Sequence, residues 1–275
     1  MTDTGFEDWI GRSSDHRDMI TPQKLAQLRV TLGPCCGPAP VPGGMQWCIA
    51  PDLAPADQLG RDGHPRPGLV LPALPLPRRM WAGGALTVHA GFAEGDEVTR
   101  RTTIRDVTFK QGRSGQLGFV KVEHLYSVAG TLRLTERQDI VYREDPKSGQ
   151  ERLPEPGEDW QADASWQITP DATLLFRFSA LTFNGHRIHY DHPYATGVEG
   201  YAGLVVHGPM QAAWMQNLAA ELFGALPGQF TYRGLTPLTA GVPVAIEARR
   251  TGDGADLRVR RQSDGVVTMQ ASARP

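Results

Sequence analysis

Apolar and polar residues alternate with a period of two over three long stretches, 98–109, 117–128 and 132–142, each rich in β-branched side chains. That period belongs to strands with one buried face. Gly112, Gly115 and Gly130 fall between the stretches, where turns are needed, so a run of long antiparallel strands is predicted. A helical period appears in two places. Thr21 is a capping residue, and Pro22 suits the first helical position, where its missing N–H would be unpaired anyway; Leu25, Leu28 and Leu32 then share a face up to Gly33. Residues 209–223 place Met210, Ala213, Trp214, Leu218 and Leu222 on one face. Ala212, Met215 and Ala219 make the other sides apolar, the pattern of a helix buried all round.

Further strands are predicted over 164–169, 174–178, 230–234, 242–250, 255–262 and 266–273. The chain thus runs twice through one main helix and a set of strands. Residues 144–163, with Asp145-Pro146-Lys147-Ser148-Gly149, Pro154, Pro156 and several acids, separate the two cycles as a linker does. Two copies of one α+β unit are predicted, 1–150 and 151–275, repeated in architecture and not in residues. Residues 34–77 are crowded with Pro and Gly. Proline cannot donate to a ladder, so this stretch is loop, and its Leu, Val and Trp content predicts an ordered loop wrapped over the body.

Composition narrows the function. The 31 Gly and 22 Pro in 275 residues suit a strand-and-loop protein, and a net charge of -2 gives no reason to expect a nucleic-acid partner; no DNA-binding motif is present. The first residues have neither a basic segment nor an apolar one, and no apolar run approaches the roughly 18 residues of a membrane span. Cys35, Cys36 and Cys48 form no CxxC pair and are too few for a disulfide framework. A cytoplasmic protein with free thiols and no membrane partner is expected.

Candidate chemistry is concentrated in one stretch. Thr182-Phe-Asn184-Gly-His186-Arg187-Ile-His189-Tyr-Asp191-His192 follows an apolar segment ending near Ser179, and His207-Gly208-Pro209 opens the buried helix. A polar residue, a histidine five positions on and a glycine at a helix start resemble the signature of the MaoC-like hotdog enoyl-CoA hydratases and dehydratases. Asn184 and His189 fall at the pair positions, with Asn where the usual residue is Asp, and Gly208 at the helix start. The variant Thr182-Phe-Asn-Gly-His-Arg-Ile-His-Tyr-Asp191 resembles a narrower branch, which holds the 3-methylfumaryl-CoA (mesaconyl-CoA) hydratases and the mitochondrial-type 3-hydroxyacyl-thioester dehydratases. Leu59-Gly-Arg-Asp-Gly-His-Pro65 and Leu76-Pro-Arg78-Arg79-Met-Trp-Ala-Gly-Gly84 are similar to the same branch, so the resemblance spans most of the chain.

The resemblance implies a double hotdog, two antiparallel sheets each wrapping a long helix, and a hydro-lyase that needs no cofactor and no metal. Its partner would be a CoA thioester, and the fold allows a homodimer. The expected roles follow from the chemistry. His189 is the base, since an imidazole can both take and return a proton. Asn184 cannot take one and would orient the water. N–H groups at Gly208 would hold the thioester oxygen as charge develops on it. Arg187 is a candidate for a substrate carboxylate or for pairing with Asp191. His186 and His207 are candidate neighbours of the substrate. Arg78, Arg79 and the late-strand Arg249, Arg250, Arg258, Arg260 and Arg261 are candidates for CoA phosphates. A hotdog thioesterase would place its acid on the central helix, where Glu221 comes too late, and a carrier-protein dehydratase of fatty-acid synthesis remains the rival reading.

Overall fold

The computed structural model describes residues 5–112, 115–145 and 154–275. The proposed boundary between residues 150 and 151 lies outside them. Ten strands form one antiparallel sheet. The first five are β1 (Ser13–Met19), β2 (Arg78–Val88), β3 (Glu97–Gly112), β4 (Gly115–Val128) and β5 (Thr131–Arg143). The second five are β6 (Ala164–Ile168), β7 (Gln229–Gly234), β8 (Val244–Thr251), β9 (Gly254–Arg261) and β10 (Val267–Arg274). Across the sheet the order is β1-β3-β4-β5-β2-β7-β10-β9-β8-β6. Read outward from the centre, the two sets of five have the same connectivity, so the architectural repeat is a repeat of topology. This is a double hotdog in the α+β class.

The sets meet where β2 pairs with β7, Gly83 opposite Arg233 and Gly84 opposite Tyr232. A Cβ on Gly83 would lie 2.6 Å from the Tyr232 carbonyl oxygen, and one on Gly84 2.4 Å from that of Arg137. The bare Gly83 lets β2 close on β7 at this seam, and the bare Gly84 lets it close on β5, beside the bulge at Trp81 and Gly83.

The halves differ in their helices. α1 (Pro22–Leu32) begins and ends as its sequence predicts, with the Thr21 hydroxyl accepting from Lys24 N and Gly33 at the C-cap. It packs chiefly on α2 (Ala172–Leu181) rather than inside its own sheet. The long helix of the second half, α4 (Gly208–Phe223), is buried from Pro209 through Ala220 and rests on β6, β8, β9 and β10. Its other side is covered by the Pro/Gly-rich loop. Asn217 on α4 accepts from the backbone N–H of Gly37 and Gly43 and donates to the Gly43 carbonyl, which pins the loop down. The expected wrapping loop therefore stands in for a second layer over α4. Cys35, Cys36 and Cys48 are free, and burial pushes the Cys35 and Cys48 thiols up to about 12.

One predicted element is corrected. Residues 174–178, read as a strand from Leu-Leu-Phe-Arg-Phe, belong to α2. The Asp171 carboxylate accepts from Leu174 N and caps the helix. Burial falls on Leu175, Phe178 and Ser179, a helical spacing, while Phe176 is left exposed. The cap and the tertiary contact with α1 outweigh the strand-like composition.

Candidate active site

The histidine-rich segment is shaped by a sequence of local devices. After α2 the chain reverses at Phe183, which adopts φ 53°, and Asn184 N donates to the Ser179 carbonyl. The Asn184 side-chain oxygen then accepts from His186 N at 2.9 Å, a turn that asparagine makes readily. A single 3-10 turn over Arg187–His189 follows, and Asp191 caps the short α3 (His192–Gly197). Val205 N donates to the Ile188 carbonyl, so the strand-like approach to α4 runs alongside this turn.

His189 is fixed by its backbone neighbour. Its Nδ1 lies 2.7 Å from the Val205 carbonyl, which can only accept, so Nδ1 carries the hydrogen and Nε2 holds a lone pair. The ring is 6% exposed, and burial, with a smaller contribution from His64, brings its pKa down to about 3 against the opposing effect of the Val205 carbonyl. His207 lies behind it, the two rings stacked at 3.5 Å between centroids, and Ser179 Oγ is 2.8 Å from His207 Nε2. The His189 ring is thus held by a carbonyl on one edge and an imidazole on one face.

A cavity of about 400 Å³ opens in front of these groups, a size suited to a small acyl substrate. Asn184, His186, His189 and Gly208 line it together, so the sequence-predicted pair and the helix start do converge. The N–H groups of Gly208 and Met210 have no carbonyl four residues back within α4, and Pro209 between them has no N–H to satisfy. A Cβ on Gly208 would be in ordinary contact with Met269 and the Trp81 carbonyl, both on the cavity wall, so what glycine leaves open is cavity space.

The loop over residues 60–65 supplies groups that the sequence reading had not placed in the site. Asp62 O accepts from Arg187 N, and Gly63 crosses Gly185 so closely that a Cβ on Gly63 would lie 2.0 Å from the Gly185 oxygen. This crossing brings His64 to the cavity wall, with its ring centroid 4.5 Å from that of His186. Burial lowers the pKa values of His64, His186 and His207 as well, so all four imidazoles are held neutral. Asp62 resists the upward push of burial because His64 and Arg79 hydrogen-bond to it and the Arg79 charge sits beside it; its pKa falls well below the usual carboxylate range. Asp62, His64 and His186 each bring one ligand atom within 4.8 Å of the others. Arg79 donates to both Asp62 oxygens (2.9 and 3.2 Å), so a cation there would face a guanidinium.

Of the two roles open to Arg187 the structure shows the pairing with Asp191, and the expectations for Arg78 and His207 are corrected by position. Arg187 does not reach the cavity: its Nε and Nη2 hold Asp191 (2.9 and 2.7 Å), Nη1 donates to the Arg61 carbonyl, and the guanidinium lies over Tyr194. Arg78 is buried against Glu199 at 2.5 Å and does not line the cavity. His207 sits behind His189 and not on the wall. Arg79 does line the wall, with Asp62 and the Pro65 carbonyl as partners. On the late strands Arg249 pairs with Asp256, Arg258 and Arg260 with Glu247, and Arg261 with Asp264, while Arg250 donates to the Leu222 carbonyl.

Residues 44–240 match the family model described as hydroxyacyl-thioester dehydratase type 2. The chain is 39% identical to a mesaconyl-C(4)-CoA hydratase of Chloroflexus aurantiacus over 99% of its own length and 98% of that protein's. Among solved structures it is similar to HtdX of Mycobacterium tuberculosis, at TM-score 0.67 and 16% identity, over 96% of this chain and 99% of that one. It is also similar to a second M. tuberculosis protein, described as having a double hotdog fold, at TM-score 0.55 and 16% identity, over 98% and 97% of the two chains. Fold and relatives agree, and the chain belongs to the hydroxyacyl-thioester dehydratase type 2 family of hydro-lyases.

Proposed function

We propose that this protein hydrates the double bond of a short enoyl-CoA thioester, with His189 as the base. The observation that carries this reading is the Nδ1 hydrogen bond of His189 to the Val205 carbonyl, which leaves Nε2 as a buried lone pair in a cavity shared with Asn184 and the start of α4. The reaction then follows from the groups present. The Asn184 side-chain nitrogen, its oxygen being committed to His186 N, donates to the attacking water. As the water oxygen bonds to the β-carbon, its proton passes to His189 Nε2 and the π electrons move onto the thioester oxygen. N–H groups at the start of α4 hold that oxygen, helped by the helix dipole. Collapse of the enolate draws the same proton from His189 to the α-carbon, so one imidazole serves both transfers and the enzyme returns to its starting state. A ring kept neutral by burial is ready to accept a proton without first losing one.

The relative named for mesaconyl-C(4)-CoA supports a short acyl group with a second carboxylate. The family description favours a second reading, the reverse reaction on a 3-hydroxyacyl group delivered by a carrier protein; it uses the same residues in the opposite order. Glu221, the acid a thioesterase would use, is exposed near the end of α4 and off the cavity wall. The test is loss of the enoyl-thioester absorbance with crotonyl-CoA and with 3-methylfumaryl-CoA. Wild type should consume one or both, and His189→Gln, folded by circular dichroism, should be slower by about 10²- to 10⁴-fold. Equal rates for the two proteins would overturn the assignment of the base.

A further inference from the structure

The hydration chemistry leaves one wall of the cavity without a role. Arg100 and Thr102 on β3, His124 and Tyr126 on β4 and Gln138 on β5 project into the cavity from the first half of the sheet. The register explains why they share a face, with Arg100 opposite Tyr126 and Thr102 opposite His124. A wall built for an alkyl chain would be apolar here, because a buried donor left without a partner carries the full cost of its lost hydration. Two such donors occur. Arg100 is 8% exposed and its Nε has no partner; His124 is 4% exposed and its Nε2 has none. Thr102 Oγ1 lies 2.8 Å from His124 Nδ1; a hydroxyl donating there puts the ring hydrogen on Nε2. The nearby acceptor is already satisfied: Glu136 receives hydrogen bonds from Trp47, Tyr126 and Gln138.

We infer that Arg100 and His124 form a subsite for a carboxylate at the end of the acyl group remote from the thioester. Arg100 Nε–H and His124 Nε2–H are the donors that a carboxylate would accept from. The inference rests on the hydratase reading and assigns the residues that would hold the second carboxylate of such a substrate, with the recognising arginine on β3 and not at Arg187. Arg100 Nη2 already holds Asp52 at 2.8 Å, and Glu136 adds a second negative charge nearby, so the hold on the substrate comes from two directed donors and not from surplus positive charge. Its size is that of a charge-assisted hydrogen bond, about 10- to 100-fold in kcat/KM.

The experiment compares trans-2-enoyl-CoA thioesters of increasing length in pairs, one ending in a methyl group and one in a carboxylate. Kd values for the corresponding saturated thioesters are measured alongside. Wild type should prefer the carboxylate-ended member at one length at least. Arg100→Met should lower the ratio of kcat/KM between carboxylate-ended and methyl-ended members by about 10- to 100-fold, a ratio from which any general loss of activity cancels. Asp52→Asn, which removes the competing carboxylate, should increase it. A carboxylate preference that survives Arg100→Met, or a wild type that prefers methyl ends at every length, overturns the subsite. Absence of turnover on every member would instead defeat the hydratase reading, and the Kd values then decide the subsite independently.

Discussion

Substituting Gly63 by alanine tests whether the 60–65 loop is a working part of the site. In the native fold Gly63 has φ +86°, and an added Cβ would lie 2.0 Å from the backbone oxygen of Gly185. That atom is backbone and cannot swing away, so the two segments must separate by more than about 1 Å to reach ordinary contact. Separation breaks the Arg187 N to Asp62 O bond, worth about 1 kcal/mol, and the left-handed conformation costs alanine a further ~1–2 kcal/mol. A loss of roughly 2–3 kcal/mol in a chain of this size lowers Tm by about 4–10 °C. The functional effect should be larger than the thermal one. The displaced loop carries His64 away from His186, and the turn that sets Asn184 and His189 loses its support; a misplacement of this size costs about 10²-fold in rate. Thermal melting and the enoyl-thioester absorbance assay read the two effects separately. Wild-type turnover in Gly63→Ala would refute the argument that this crossing positions the site, whatever the change in Tm.

Burial lowers the pKa values of His64, His186, His189 and His207, with His189 at about 3, so below pH ~6.5 the unfolded chain binds protons that the folded chain does not. Stability should be full above that pH and fall progressively toward about 3; a urea midpoint unchanged between about pH 7.5 and 5 would contradict it. Ser179→Ala removes the partner of His207 Nε2 in a fully buried place and should cost about 1–3 kcal/mol, read as a shift in urea midpoint; no shift would mean that the hydroxyl is not the anchor of that ring. Arg187→Ala breaks a half-exposed pair with Asp191, so its stability cost should stay below about 1 kcal/mol. Its KM ratio between carboxylate-ended and methyl-ended substrates should match wild type, and a selective loss for the carboxylate would return that role to Arg187.

What the sequence determined by itself is what depends on neighbours along the chain. The caps at Thr21 and Gly33, the all-round apolar pattern of 209–223 and the alternation of the three long strands are local instructions, and the structure follows them. Asn184, His189 and Gly208 were legible as a group because their spacing is set by one turn and one helix start, and all three line the same cavity. Residues 174–178 misled because strand and helix differ there by a cap and by which face meets α1, and the second of these is not written in the segment. The rest of the site was decided by tertiary structure. His64 reaches the cavity only because two glycines let loop 60–65 cross the active turn, and the Gly-Arg-Asp-Gly-His-Pro motif showed resemblance without showing that contact. Arg100, His124 and Gln138 left a faint signal, polar residues at the inward positions of alternating strands. Whether such a face meets a helix, water or a substrate depends on what packs opposite it. Here α1 lies on α2, and residues of β2, β3, β4 and β5 are left to bound the cavity. Arg187 shows the converse: its chemistry suits a carboxylate, but a charged side chain takes the partner nearest in space, and the fold puts Asp191 there.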